Sequence, residues 1–222
     1  MFVIDGLKLW VLSSSTVCQR DALLLACGSE RPRDVRLEGR ELGGIHFAMD
    51  CLVPQTRRVA GCTSEAEEIR AEGKHVIILG GGDTGSDCVG TAHRQGALSV
   101  SSLELMERPP AGRDPSTPWP MWPLMIRASS SHEEGGRRDF GVMTKRFSES
   151  NGKVERLHVV REKIEEGELG ERRLVENPGS ELAMPCDRVL LAVGDLHPAR
   201  DVVGERSEVD KAMAHQREHK DV

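Results

Sequence analysis

The stretch Lys74-His75-Val76-Ile77-Ile78-Leu79-Gly80-Gly81-Gly82-Asp83-Thr84-Gly85-Ser86-Asp87-Cys88-Val89-Gly90-Thr91 decides the fold. Its apolar run is short enough for a buried parallel strand and empties into Gly80-x-Gly82-x-x-Gly85, after which small and polar residues continue at helical spacing. The pattern predicts strand, turn and helix. Each glycine has its reason: Gly80 lets the chain reverse tightly, Gly82 lets the backbone approach a pyrophosphate, and Gly85 lets the helix pack on the strand. The anion belongs on the helix N-terminus, where unpaired N–H groups point outward and the macrodipole favours negative charge. Glycine-rich turns occur in many loops. Set between this strand and this helix, the motif predicts a dinucleotide site.

Working outward, the helix is expected over residues 83–95 with Gly96 at its end, and residues 99–106 supply the second strand of a β-α-β unit. An acidic group at the end of that strand holds the ribose 2′-OH of NAD, whereas Arg or Lys accommodates the 2′-phosphate of NADP. The sequence offers Glu107 beside Arg108, with Arg94 late in the helix and Arg113 in the next loop. The signal is mixed. It leans to NADP, because several guanidiniums can gather round a phosphate dianion. Residues 109–123 carry six prolines with Trp119 and Trp122, a loop excluded from helix or central strand, whose tryptophans are expected to pack on the core. Residues 129–136 read as polar and flexible, with His132 in solvent.

Residues 140–147 and 153–160 flank Asn151-Gly152 and read as a hairpin, with further short strands over 172–176 and 181–184. Residues 187–194 repeat the apolar-run-then-glycine form of residues 21–28, matching at Asp, Leu, Leu, Ala and Gly. A short helix is expected over 45–52 and a helical stretch over 63–69. The fold class is therefore α/β, a parallel Rossmann-like sheet with helices on both faces and an antiparallel hairpin layer inserted before the last strand.

The chain has 222 residues, a formal charge of -6 and only 3% aromatic residues without a single tyrosine. The core thus falls to aliphatic side chains, and no basic field for nucleic acid or anionic lipid is present. No apolar run approaches a membrane span, and charges interrupt the start where a signal peptide needs an unbroken apolar segment. A cytoplasmic protein is expected. Cys18, Cys27, Cys51, Cys62, Cys88 and Cys186 are scattered without a Cys-x-x-Cys pair, so no iron–sulfur or zinc site is assigned. Cys27 and Cys88, among small apolar neighbours, read as packing thiols. His215 and His219 stand at helical spacing but lack a third ligand nearby.

Residues 80–91, Pro118-Trp119-Pro120, Ser129-Ser130-Ser131-His132-Glu133-Glu134-Gly135, Gly44-Ile45-His46-Phe47-Ala48-Met49-Asp50 and residues 187–194 together resemble the small (beta) subunit of glutamate synthase. The resemblance runs from about residue 21 to residue 198. It implies a flavoprotein with two dinucleotide sites, in which NADPH reduces FAD and electrons pass through iron–sulfur clusters to a large (alpha) subunit that makes glutamate from glutamine and 2-oxoglutarate. By the same resemblance Gly80, Gly81, Gly82, Asp83, Thr84 and Gly85 hold the pyrophosphate, Arg108 lies near the 2′-phosphate, and Ala26 and Gly28 lie near the flavin, with Arg94 and Gly194 as further cofactor-binding candidates. NADH is the alternative nucleotide. No side chain need act as nucleophile or base, since hydride transfer belongs to the cofactors.

The implied domains are 1–52, a remnant of an FAD domain with a connector; 53–194, the NAD(P)H domain; and 195–222, a truncated and partly disordered return. Neither the family's cysteine-bearing cluster region nor its first FAD fingerprint is matched ahead of residue 21, so FAD and the clusters are expected of the intact family rather than of this stretch. Two other readings follow from the same residues: a catalytically incomplete dinucleotide-binding fragment, and another FAD-linked pyridine-nucleotide oxidoreductase of the same fold.

Overall fold

A computed structural model describes residues 2–4, 7–9, 29, 31–62, 68–166 and 172–195. The chain divides into two compact units, Met1–Arg31 with His197–Val222 and Pro32–Leu196. In the first, β1 (Phe2–Ile4) and β2 (Leu7–Leu9) pair antiparallel, with Val3 opposite Lys8. The expected strand over 21–28, most of the helical stretch over 63–69, and His215 with His219 lie outside the described residues, as do Ala26, Gly28 and Cys27.

The second unit is built on a parallel sheet in the order β3 (Ile45–Phe47), β11 (Arg188–Leu191), β4 (His75–Leu79), β5 (Ser99–Glu104) and β6 (Arg137–Phe140). Three of the five residues of β4 are β-branched, and Val76 to Leu79 are all buried, as befits a strand covered on both faces. Side chains alternate across a strand, and here the alternation sorts them between two cores. Val76 and Ile78 join Ala48, Cys51, Cys88, Val89 and Ala92 in a helical core. Ile77 and Leu79 join Val142, Phe147, Val154, Leu157 and Val159 in a sheet-on-sheet core. Ile78 is wholly buried, which contributes about 2 kcal/mol from that side chain.

The first core lies under α1 (Ala48–Val59) and α2 (Asp83–Arg94). Over the second lies an antiparallel layer of β7 (Val142–Ser150), β8 (Lys153–Glu166) and β10 (Leu182–Pro185), with β9 (Arg172–Glu176) on β8. Helices, a parallel sheet and an antiparallel layer are the expected components. Among the described residues both long helices share one face of the parallel sheet, and the antiparallel strands cover the other. The β7 to β8 turn is Asn151-Gly152, with φ of 54° and 74°, the left-handed pair that a tight hairpin requires.

Residues 45–52 do not form the single short helix expected of them. Ile45, His46 and Phe47 pair parallel with Val189, Leu190 and Leu191, and the helix starts only at Ala48. Pairing to a buried neighbour overrides local propensity here. The helix α1 runs through residues 52 and 53, and the compact unit runs from Pro32 to Leu196. Its entry and exit meet: Pro32 bridges Asp195, and the Arg33 N–H donates to Gly194 O at 2.9 Å.

The tryptophans also differ from expectation. Trp119 and Trp122 are 84% and 78% exposed, and the Trp122 ring carries the Arg127 guanidinium 4.1 Å from its centroid. Among the described residues no helix is long and apolar enough to cross a membrane.

Candidate dinucleotide site

The glycine turn joins β4 to α2 at the carboxyl edge of the parallel sheet. Gly80 takes φ of +111°, a conformation that side-chain-bearing residues rarely adopt. Its N–H donates to Leu103 O at 2.8 Å, and a Cβ on it would fall 2.2 Å from Ala192 O. The turn is thus clasped between the ends of β5 and β11. A Cβ on Gly85 would fall 2.3 Å from Gly80 O, so the first turn of α2 rests directly on backbone. Gly82 is different. It is the N-cap residue, and a Cβ there would meet nothing within 4 Å. The first and third glycines close the turn from within, and the second leaves its outer side bare.

That bare side faces the N-terminus of a twelve-residue helix whose Gly82 cap supplies no side-chain hydrogen bond. The backbone N–H groups of its first turn, carried by Asp83, Thr84 and Gly85, are the donors such an end offers to an anion. At the other end Gly96 N donates to His93 O and Ala97 N to Ala92 O, with Gly96 at φ of +82°, the glycine stop read from the sequence.

The other expected residues are brought together unevenly. Arg108 lies beyond the end of β5, its guanidinium 6.0 Å from the Phe140 ring centroid. Gly194 follows β11 at the same edge, with φ of +88°. Arg94 sits in the last turn of α2, about 16 Å along the axis from Asp83, and pairs there with Glu134. It does not approach the glycine turn. Arg113 donates to Thr117 O at 2.8 Å and Met121 O at 3.3 Å, bracing its own loop.

Two residues at the site escaped the sequence reading. The strand β5 ends at Glu104, two residues before the expected end. Glu104 Oε1 accepts from Arg138 Nε at 2.9 Å and lies 2.8 Å from Nη2 in an ion pair. Arg138 also donates to Gly81 O at 3.4 Å and Arg127 O at 2.6 Å. A signal for Glu104 does exist: β4 and β5 pair in register, Leu79 opposite Leu103, so the residue after Leu103 must lie beside the turn.

Residues 129–136, expected to be flexible, instead pack along α2. Ser130–Glu133 forms a short helix, α3, with Ser129 and His132 making a capping box. Ser86 and Ser129 share a hydrogen bond through their hydroxyls, and Ser131 is buried where a Cβ on Gly90 would otherwise intrude. Burial, followed by the nearby Arg138 charge, holds the His132 imidazole below its ordinary pKa, so it is no solvated loop residue. Burial pushes the Cys88 and Cys51 thiols up, and that of Cys186 up to about 12. They stay protonated and act as packing groups.

No family model matches the chain. The small chain of NADPH glutamate synthase from Mycobacterium tuberculosis is 44% identical over 185 residues, covering 81% of this chain and 37% of the relative. The NADH glutamate synthase of Saccharomyces cerevisiae is 37% identical over 200 residues, 87% of this chain and 9% of that protein. Among solved structures, FprA, a Mycobacterium tuberculosis oxidoreductase whose structure revealed a covalent modification of NADP+, aligns with a TM-score of 0.52 at 15% identity, over 83% of this chain and 52% of that one. That likeness shows the fold. The chain is a relative of the glutamate synthase small chains and spans 37% of the length of the Mycobacterium tuberculosis one.

Proposed function

We propose that residues 53–194, with β3 and the irregular approach from Pro32, form an NAD(P)H-binding unit, and that NADPH is its nucleotide. The observation that carries the reading is the unequal packing of the three glycines. A turn that needed glycine only for folding would crowd all three positions, yet Gly82 faces open space beside an uncapped helix end. Backbone N–H groups of Asp83, Thr84 and Gly85 orient the pyrophosphate, and the glycines keep side chains out of its way. Arg108, at the same edge, is the cation available to the adenosine end.

In the whole protein the unit serves an oxidoreductase that supplies electrons for glutamate synthesis from glutamine and 2-oxoglutarate, with a large subunit as partner. When both cofactors are bound, NADPH supplies a hydride that FAD accepts, chemistry that belongs to the cofactors. The chain's own residues bind and aim. Gly194 belongs on the flavin side of that arrangement, and no iron–sulfur ligand is assigned among the scattered cysteines.

Calorimetric titration of the chain with NADPH and NADH, with a visible spectrum of the same sample, tests this. Saturable NADPH binding is the expected result, and flavin colour would extend it to the second site. Folded protein that binds neither nucleotide would end the proposal.

A further inference from the structure

At the amino edge of the parallel sheet, opposite the glycine turn, a groove of about 340 Å³ is lined by the sheet on one side and by the start of β8 on the other. That volume lies within the range of small-ligand clefts. Each side carries one lysine and one carboxylate: Lys74 and Asp187, just ahead of β4 and β11, and Lys153 and Glu155 on β8. Among the described residues none of these four side chains makes an ion pair. Lys145 and Lys163, by contrast, pair with Glu176 and Glu165. Asp187 is held in place, its Oδ2 accepting from the His75 N–H at 2.7 Å, and its Oδ1 accepts nothing among the described residues. Val154 and Cys186, both buried, add an apolar lining.

We infer that this groove binds an acidic α-amino acid, a molecule with two carboxylates and one ammonium. The match is one of charge sign and number. Lys74 and Lys153 each take one carboxylate, and the ammonium, with three donors, is shared by Asp187 and Glu155. The apolar lining receives the methylenes between the two ends. A dicarboxylate without an amine leaves the two acidic side chains facing a dianion, and an inorganic cation leaves the two lysines unanswered. Only a ligand carrying both signs satisfies all four groups. Exposed lysines and carboxylates gain little by pairing with one another, so they are available to such a ligand at small cost. The groove lies the length of β4, about 17 Å, from the glycine turn, and it stands without the nucleotide reading. Glutamate, the product proposed for the whole protein, belongs to this ligand class and serves as its probe.

The test is calorimetric titration of the full chain with L-glutamate and with glutarate, which has both carboxylates and no ammonium, repeated on Lys153→Met and Glu155→Gln. The parent should bind L-glutamate saturably and about tenfold more tightly than glutarate. Glu155→Gln removes a partner of the ammonium alone, so it should weaken L-glutamate and bring the two affinities to within about threefold of each other. Lys153→Met removes a partner of a carboxylate and should weaken both ligands about tenfold. Both variants should melt with the parent and give the parent's NADPH titration, because the glycine turn is at the other edge. No binding of L-glutamate at millimolar concentration, glutarate bound as tightly as L-glutamate by the parent, or folded variants that bind L-glutamate like the parent would each overturn the inference. Loss of the nucleotide reading would show separately, as failure of the same parent sample to bind NADPH or NADH.

Discussion

At the carboxyl edge of the parallel sheet β4 and β5 end side by side, Leu79 opposite Leu103, and they are finished by different means. The end of β4 is closed mainly by backbone, with Gly80 against Ala192 O and Gly85 against Gly80 O, while the Ser102 and Arg138 side chains only donate to the turn's carbonyls at 3.4 Å. The end of β5 is made of side chains, Glu104 reaching across to Arg138 on β6. A backbone closure has one solution, because only glycine leaves the room. A side-chain closure has several, and it can be retuned by a single charge without disturbing the sheet. The first suits the pyrophosphate proposed for it, a group common to every dinucleotide.

The largest effect comes from putting a side chain into the backbone closure. In Gly85→Val the new Cβ meets the Gly80 carbonyl oxygen, which belongs to a turn already fixed on Leu103 and Ala192. Overpacking against backbone should cost about 3 kcal/mol, a fall of about 10 °C in melting temperature, and nucleotide binding should go with it. Thermal unfolding followed by circular dichroism reads this directly. A variant that melted with the parent and bound NADPH unaltered would remove the glycine turn as the site.

The comparison sharpens at Gly82, where the same chemistry should give the opposite pattern. Its φ of -74° suits any residue, and a Cβ there meets no atom of the protein. Gly82→Val should therefore fold within about 0.5 kcal/mol of the parent. It should nonetheless bind NADPH at least about tenfold more weakly, since the added methyls occupy the approach reserved for the pyrophosphate. Melting and calorimetry on one preparation separate the two effects. Loss of stability without loss of affinity would mean that the open side faces protein rather than ligand.

The same contrast explains what could be read from the sequence. The β4 turn, the Gly96 stop and the Asn151-Gly152 hairpin were legible because each rests on a backbone geometry that few residues tolerate, so the residue type itself is the signal. The Glu104 to Arg138 pair spans 34 positions along the chain, and nothing local marks either member. Ile45 to Phe47 misled for a related reason: their strand state comes from β11, more than a hundred residues away in sequence. The tryptophans of the proline-rich loop misled in the other direction, since apolar character predicts burial only when a surface exists to receive it.

Residues 129–136 are the case between these extremes, and the smallest predicted effect tests how they are held. His132 Nδ1 lies 3.3 Å from Ser129 N and 3.0 Å from Ser129 Oγ, an acceptor position that requires the ring to be neutral there. Burial and Arg138 lower its pKa, against a smaller opposing pull from Glu104. The sign follows. Above about pH 6.5 the ring is neutral in both folded and unfolded chains and contributes no pH dependence. As the pH falls below that value the unfolded chain takes up a proton that the folded chain resists, and stability is lost until the folded pKa is passed. Protonating Nδ1 also removes the acceptor that closes the capping box, so the loss falls on the packing of α3 against α2. His132→Gln keeps an acceptor suited to that box and removes the titration. Its melting temperature should therefore fall less than the parent's on going from about pH 7.5 to about pH 5.5. Parallel profiles for the two proteins would mean that the segment is held by Ser86, Ser131 and Arg94 alone, and that the histidine is a bystander in its own cap.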